Sequence, residues 1–161
     1  MDEFRAAARA TADEFERNGS AAVAGTYGAG PSRMPFAVKD PRGYREFFAA
    51  LARHDAGGAA ATLRGFQAMR PPLYAFEAEI KALTLPVLIV CGDEDDLCIE
   101  PSLYLKQHIA ASGLAMFPKS GHTVNIEEPA LFNQTLDQFL TLAEAGRWAA
   151  LDPRSLRHAT A

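Results

Sequence analysis

Residues 86–96 read PVLIVCGDEDD, and this stretch decides the fold. From Val87 to Cys91 the chain is apolar, rich in β-branched side chains, and does not alternate with polar residues. A strand with one wet face alternates. A strand covered on both faces, as in a parallel sheet, reads as an unbroken apolar run. The run stops at Gly92 and enters a cluster of acids, Asp93, Glu94, Asp95 and Asp96. Outward from there, Pro101 is expected to open a helix whose apolar residues are Leu103, Leu105 and Ile109, with Gly113 as its stop. LAMF, residues 114–117, is a second short strand, and the polar loop PKSGHTVNIEEP, residues 118–129, carries His122. Pro129 opens another helix, with Leu131, Phe132, Leu136, Phe139 and Leu140 turned inward and an end near Gly146. Strand, helix, strand, helix predicts two parallel strands joined by a right-handed crossover.

Upstream the character differs. Phe4, Ala8, Ala12 and Phe15 recur at helical spacing, so residues 2–17 predict a helix that stops at Gly19. Residues 25–35, GTYGAGPSRMP, are rich in glycine and proline and read as a loop. Asp40-Pro41 pairs a capping carboxylate with a proline at the first helical position. The helix it starts carries Tyr44, Phe47, Phe48 and Leu51 and ends near His54. That aromatic stripe reads as core rather than as a substrate wall. A helix over about 59–69 ends at Pro71-Pro72, and residues 73–83 predict one more short helix. MRPPLY, residues 69–74, either lines a pocket or terminates the helix. The resulting division is a helical region over 1–84, a strand-containing core over 85–146 and a loose tail over 147–161.

Composition bounds the functions. The chain has 161 residues, 48% hydrophobic, with a formal net charge of −4. No cluster of Lys and Arg provides a nucleic-acid footprint. The longest apolar run, LPVLIVC, is too short to span a bilayer. The charged, amphipathic start lacks the order of a signal peptide, and the two cysteines, Cys91 and Cys98, read as buried, reduced thiols rather than metal ligands. Both point to a cytoplasmic location.

In a parallel unit the loops after adjacent strands share one rim. The acid cluster follows the first strand and His122 follows the second, so a carboxylate and an imidazole meet there. A carboxylate that accepts a hydrogen bond from one ring nitrogen fixes the tautomer and leaves the other nitrogen as a general base. Asp95 competes for this role with Asp93 and Asp96. Five acids over residues 93–100 also raise a cation site, but the alternating ligands and glycine of a calcium loop are missing, and a solvated turn is the plainer reading. His54, His108 and His158 have no partner pattern and are taken as surface residues.

These motifs resemble the α/β-hydrolase family. PVLIVCGDEDD is similar to its penultimate strand and acid loop, and a Gly-x-x-Asp match from Gly92 gives Asp95 as the triad acid. SGHTVNIEEP is similar to its histidine loop, which gives His122 as the triad histidine. The helix from Pro129 resembles the closing helix, and the first eighty residues resemble the cap. The implied fold is a partial α/β-hydrolase fold, a helical cap followed by a two-stranded parallel βαβα unit. The departure is the nucleophile. No Gly-x-Ser-x-Gly occurs, and the nearest approach, GPSRM around Ser32, follows no strand and is followed by Pro35, which is expected to block a helix.

The resemblance implies ester-like hydrolysis of a small-molecule substrate through a Ser-Asp-His triad without a cofactor or metal. The family's esters, lactones, epoxides and carbon–carbon bonds are not distinguished. Without the serine, this chain is expected to be inactive alone. An open strand edge predicts a homodimer or a nucleophile-bearing partner chain. The alternatives are a truncated, non-catalytic remnant or interaction module that associates through that edge, and a start codon placed inside a longer frame.

Overall fold

The computed structural model describes residues 1–152, which divide into two units, Met1–Ala75 and Phe76 onward.

The first unit is helical throughout. Helix α1 (Asp2–Thr26) buries Ala8, Ala12 and Phe15, the stripe expected from their spacing. Its first segment ends at Gly19, as expected, and a second segment follows across the kink. That glycine takes φ 75° and ψ 168°, a conformation few other residues reach, and the chain turns and resumes helix. Burial of Val23 and Ala24 holds the second segment, and the Ser20 hydroxyl donates to the His54 carbonyl at 2.7 Å. A 3-10 turn, Pro31–Arg33, leads into α2 (Met34–Lys39). The expected loop is therefore partly helical. Pro35 does not block α2 but lies in its first turn, where the missing N–H has no intrahelical partner to lose. Helix α3 (Pro41–Leu51) starts as expected, with the Asp40 side chain accepting the Gly43 N–H at 2.9 Å. Phe36 is buried against Tyr44 and Phe47, while the stripe residues Tyr44, Phe47, Phe48 and Leu51 are themselves only half-buried.

Helix α4 (Ala56–Thr62) is capped by Asp55 and runs into a π turn, Leu63–Gln67. Ala60 on α4 packs against Ala12, Phe15 and Val23 of α1; small side chains let these two backbones approach closely. Arg64 closes the same contact from outside by pairing with Asp13 and Glu16.

The second unit carries the sheet. After a 3-10 turn at Leu73–Phe76, α5 (Glu77–Lys81) buries Ile80 and packs on α6, so this unit begins ahead of the expected 84/85 boundary. Strand β1 (Val87–Gly92) pairs in parallel with β2 (Ser112–Phe117), Val87 opposite Ser112 and Gly92 opposite Phe117. Ile89 and Cys91 on β1 are buried while Leu88 and Val90 are half-buried. One face is thus better covered than the other. Among the described residues the sheet has two strands only.

Helix α6 (Asp96–His108) starts earlier than expected and contains Pro101. Pro101 falls past the first turn, so the bond its N–H would have made to the Leu97 carbonyl is missing. Gly113 is not a helix stop. It lies inside β2, where a Cβ would sit 2.4 Å from the Trp148 ring. That ring, edge-on to Phe139, donates its indole N–H to the Ala111 carbonyl at 3.1 Å, and Leu151 N–H reaches Ala110. Residues 147–152 are therefore held, not loose, because one tryptophan fills a glycine notch; the rest of the expected tail lies outside the described residues. After a short helix α7 (Val124–Glu127), α8 (Pro129–Glu144) ends beside Gly146 as expected. Leu131, Leu136 and Leu140 are exposed rather than inward. The described residues supply nothing to cover them. No described helix is long and apolar enough to cross a membrane.

Candidate active site

The site forms where β1 and β2 end. In-register parallel pairing sets Gly92 beside Phe117, so the two following loops leave the sheet side by side. Asp93 N–H donates to the Phe117 carbonyl at 3.0 Å and Glu94 N–H to the Ser120 carbonyl at 2.9 Å. Gly92 has to be glycine: a Cβ there would lie 2.2 Å from the Ser120 oxygen and 2.3 Å from the Gly121 oxygen. Lys119 accepts a left-handed φ of 57° to complete the turn.

This laced rim brings His122 to Asp95. His122 Nδ1 lies 2.7 Å from Asp95 Oδ2. The acid side chain is 5% exposed and the histidine 48%. The carboxylate is thus shielded from water, and the imidazole faces it. Asp95 is the acid that meets the ring. Asp93 instead accepts the Ser120 N–H at 3.3 Å, and Glu94 pairs with Lys119 at the surface.

One further acid shapes the site. Glu127 is buried and accepts from Gly121 N–H at 2.8 Å, Thr123 N–H at 3.0 Å and the Thr123 hydroxyl at 2.9 Å. It therefore grips the backbone on both sides of His122. Nothing in periodicity or composition singled it out; a carboxylate five residues past a histidine reads as an ordinary polar loop residue.

Cys98 also belongs here. Its Sγ lies 3.9 Å from His122 Nδ1, and its thiol is pushed up to about 12 by burial, then by a hydrogen bond to and the charge of Asp95. The buried Cys91 thiol is raised too, chiefly by burial. Of the other histidines, His54 is exposed as expected. His108 is not a free surface residue: half-buried, it stacks on Tyr104 at 4.1 Å and its Nδ1–H donates to the Tyr104 carbonyl. His158 lies outside the described residues. Ser32 sits in the 3-10 turn of the helical unit, with no strand before it. In the sheet unit, the Ser112 hydroxyl donates to the Ile109 carbonyl and buried Ser120 to that of Pro118.

No family model matches the sequence. The chain is 31% identical over 64 residues to 2-succinyl-6-hydroxy-2,4-cyclohexadiene-1-carboxylate synthase of Bacillus subtilis, a stretch covering 40% of this chain and 23% of that protein. It is 37% identical over 102 residues to a protein named as a carbamate hydrolase, RutD, of Agrobacterium fabrum, covering 58% of this chain and 38% of the relative. Among solved structures, MenH from S. aureus superposes with a TM-score of 0.82 at 17% identity over 88% of this chain and 53% of its own. Est816, an N-acyl homoserine lactone degrading enzyme, superposes with a TM-score of 0.55 at 20% identity over 80% of this chain and 50% of its own. The chain therefore spans about half the length of these structures, and less of the two sequence relatives. Its fold is a partial α/β-hydrolase fold, and its sequence relatives point to the same family.

Proposed function

We propose that this chain, an α/β-hydrolase relative, supplies the acid and histidine of a serine-dependent hydrolase for ester-like substrates. The observation that carries this reading is the 2.7 Å contact between His122 Nδ1 and buried Asp95. An ionised Asp95 only accepts, so the ring proton sits on Nδ1 and Nε2 remains the free base. A serine hydroxyl placed at Nε2 gives up its proton as its oxygen attacks the carbonyl carbon. The imidazolium, stabilised by Asp95, returns that proton to the departing alkoxide. Water then repeats the sequence on the acyl-serine and releases the acid. Carbamate hydrolysis and lactone degradation, named for two of the similar proteins, are likewise attacks on an acyl carbonyl and support this substrate class.

The proposal places the nucleophile outside these 161 residues, on another segment or chain, since no Gly-x-Ser-x-Gly occurs within them. The test is hydrolysis of p-nitrophenyl esters. The chain alone is expected to match buffer. Combined with a nucleophile-bearing partner, it is expected to turn over ester, and Asp95→Asn then to lower kcat by about 10⁴-fold. Ester hydrolysis that persists unchanged in His122→Ala ends this reading.

The open edge of the two-stranded sheet favours a second reading, a non-catalytic module that associates through that edge. Partners captured on the tagged chain separate the two. One with Gly-x-Ser-x-Gly between a strand and a helix supports the split enzyme, and an unrelated one supports the module.

A further inference from the structure

We propose that Asp95, Cys98 and His122 form a binding site for a borderline-soft divalent cation of the zinc class. One carboxylate oxygen, Cys98 Sγ and a His122 ring nitrogen all lie within 4.8 Å of one another. Nδ1 is 2.7 Å from Oδ2 and 3.9 Å from Sγ. Two zinc–ligand bonds at the tetrahedral angle hold their donor atoms about 3.3–3.6 Å apart. A zinc ion thus fits once the carboxylate and ring part by at least about 0.6 Å and the thiol closes on the ring by at least about 0.3 Å, with water as the fourth ligand.

The donors are fixed before any ion arrives. Cys98 follows Asp95 by three residues across the first turn of α6, its N–H bonded to the Asp95 carbonyl at 2.8 Å. Asp95 is the residue that precedes the helix and Cys98 lies in its first turn, so this bond holds the two close together. Glu127 and Gly92 fix the backbone that carries His122. The mixture of sulfur, nitrogen and oxygen selects the cation, because magnesium and calcium take oxygen donors alone.

The proton balance is simple. Zinc takes the thiolate, and the Cys98 proton leaves to water. Nδ1 gives up its proton to become a ligand, and Nε2 takes one from solvent, so the ring stays neutral. With Asp95 ionised, the +2 ion meets two negative ligands and the complex is neutral. Nε2 then carries a proton and no longer serves as a base. Inhibition by zinc follows from this tautomer switch; that consequence rests on the proposed relay, while the binding site does not.

The test uses Co²⁺ and Zn²⁺ on the reduced chain and needs no turnover. One Co²⁺ is expected per chain, with a thiolate-to-cobalt charge-transfer band that Zn²⁺ abolishes. The band is expected to vanish in Cys98→Ser, to persist in Cys91→Ser, and to need at least tenfold more metal in His122→Ala, each variant first checked for helical content. X-ray absorption of the unmutated zinc complex covers the case of a variant that unfolds. It is expected to show one sulfur at about 2.3 Å and nitrogen or oxygen at about 2.0 Å. No saturable binding, a zinc shell without sulfur, or a charge-transfer band that follows Cys91 overturns the site, whatever the esterase assay shows.

Discussion

At His122 a single buried carboxylate holds the backbone on both sides. Glu127 satisfies two N–H groups and a hydroxyl that water reaches poorly. Its removal leaves buried donors unpaired, which costs about 1–3 kcal/mol. Glu127→Ala is therefore expected to lower the unfolding free energy measured in urea by that amount. It is also expected to blur the downfield Nδ1–H resonance of His122; a sharp, unmoved resonance would show that the loop needs no such clamp. Cys98 gives a pH dependence. Its folded thiol is raised from 9.0 to about 12 by burial and by Asp95. The folded state therefore keeps a proton that the unfolded state loses. Stability is unaffected below the unfolded value and falls as pH rises from 9.0 toward about 12. In EDTA, Cys98→Ser is expected to flatten this part of the alkaline unfolding profile. Equal slopes for both proteins would contradict the shift.

The elements differ in how locally they are specified. Helix α3 is written in its own residues: Asp40 caps, Pro41 starts, Tyr44 and Phe47 face Phe36, and Phe48 packs on Tyr44. Asp40→Ala is expected to cost about 1 kcal/mol in chemical denaturation. Helix α1 is the opposite case. Gly19 ends the first segment as its sequence suggests, but a second helical segment follows because Val23 beyond it is buried in the same core as Ala12 and Phe15. At Gly19 an added Cβ meets no atom within 4 Å, so the cost of Gly19→Ala is backbone strain at φ 75°. The expected loss is about 1–3 kcal/mol, read as a lower Tm. A neutral result would mean that the bend relaxes without opening the core.

For the whole molecule, apolar surface without cover is the dominant fact. Leu97 is 84% exposed, Leu131, Leu136 and Leu140 on α8 are open, and a two-stranded sheet is below the usual threshold for independent stability. Association is therefore expected, as a dimer or larger species in size-exclusion chromatography. A monomer with a sharp cooperative melt would count against it. The sequence by itself determined the parallel strand pair, the helices opened by Pro41 and Pro129, and the placing of Asp95 and His122 in loops after successive strands. These follow from local rules, an apolar run's period and where proline and glycine act. The Gly-x-x-Asp resemblance already favoured Asp95 over Asp93 and Asp96; only the tertiary structure decided that Glu127 clamps the loop and that Cys98 shares the site. It also decided that Gly113 is a notch for Trp148 and not a helix end. Such contacts join residues distant in the chain, and their energy depends on the direction in which each side chain leaves its backbone. That direction is fixed only once two strands lie in register and their loops are laced together.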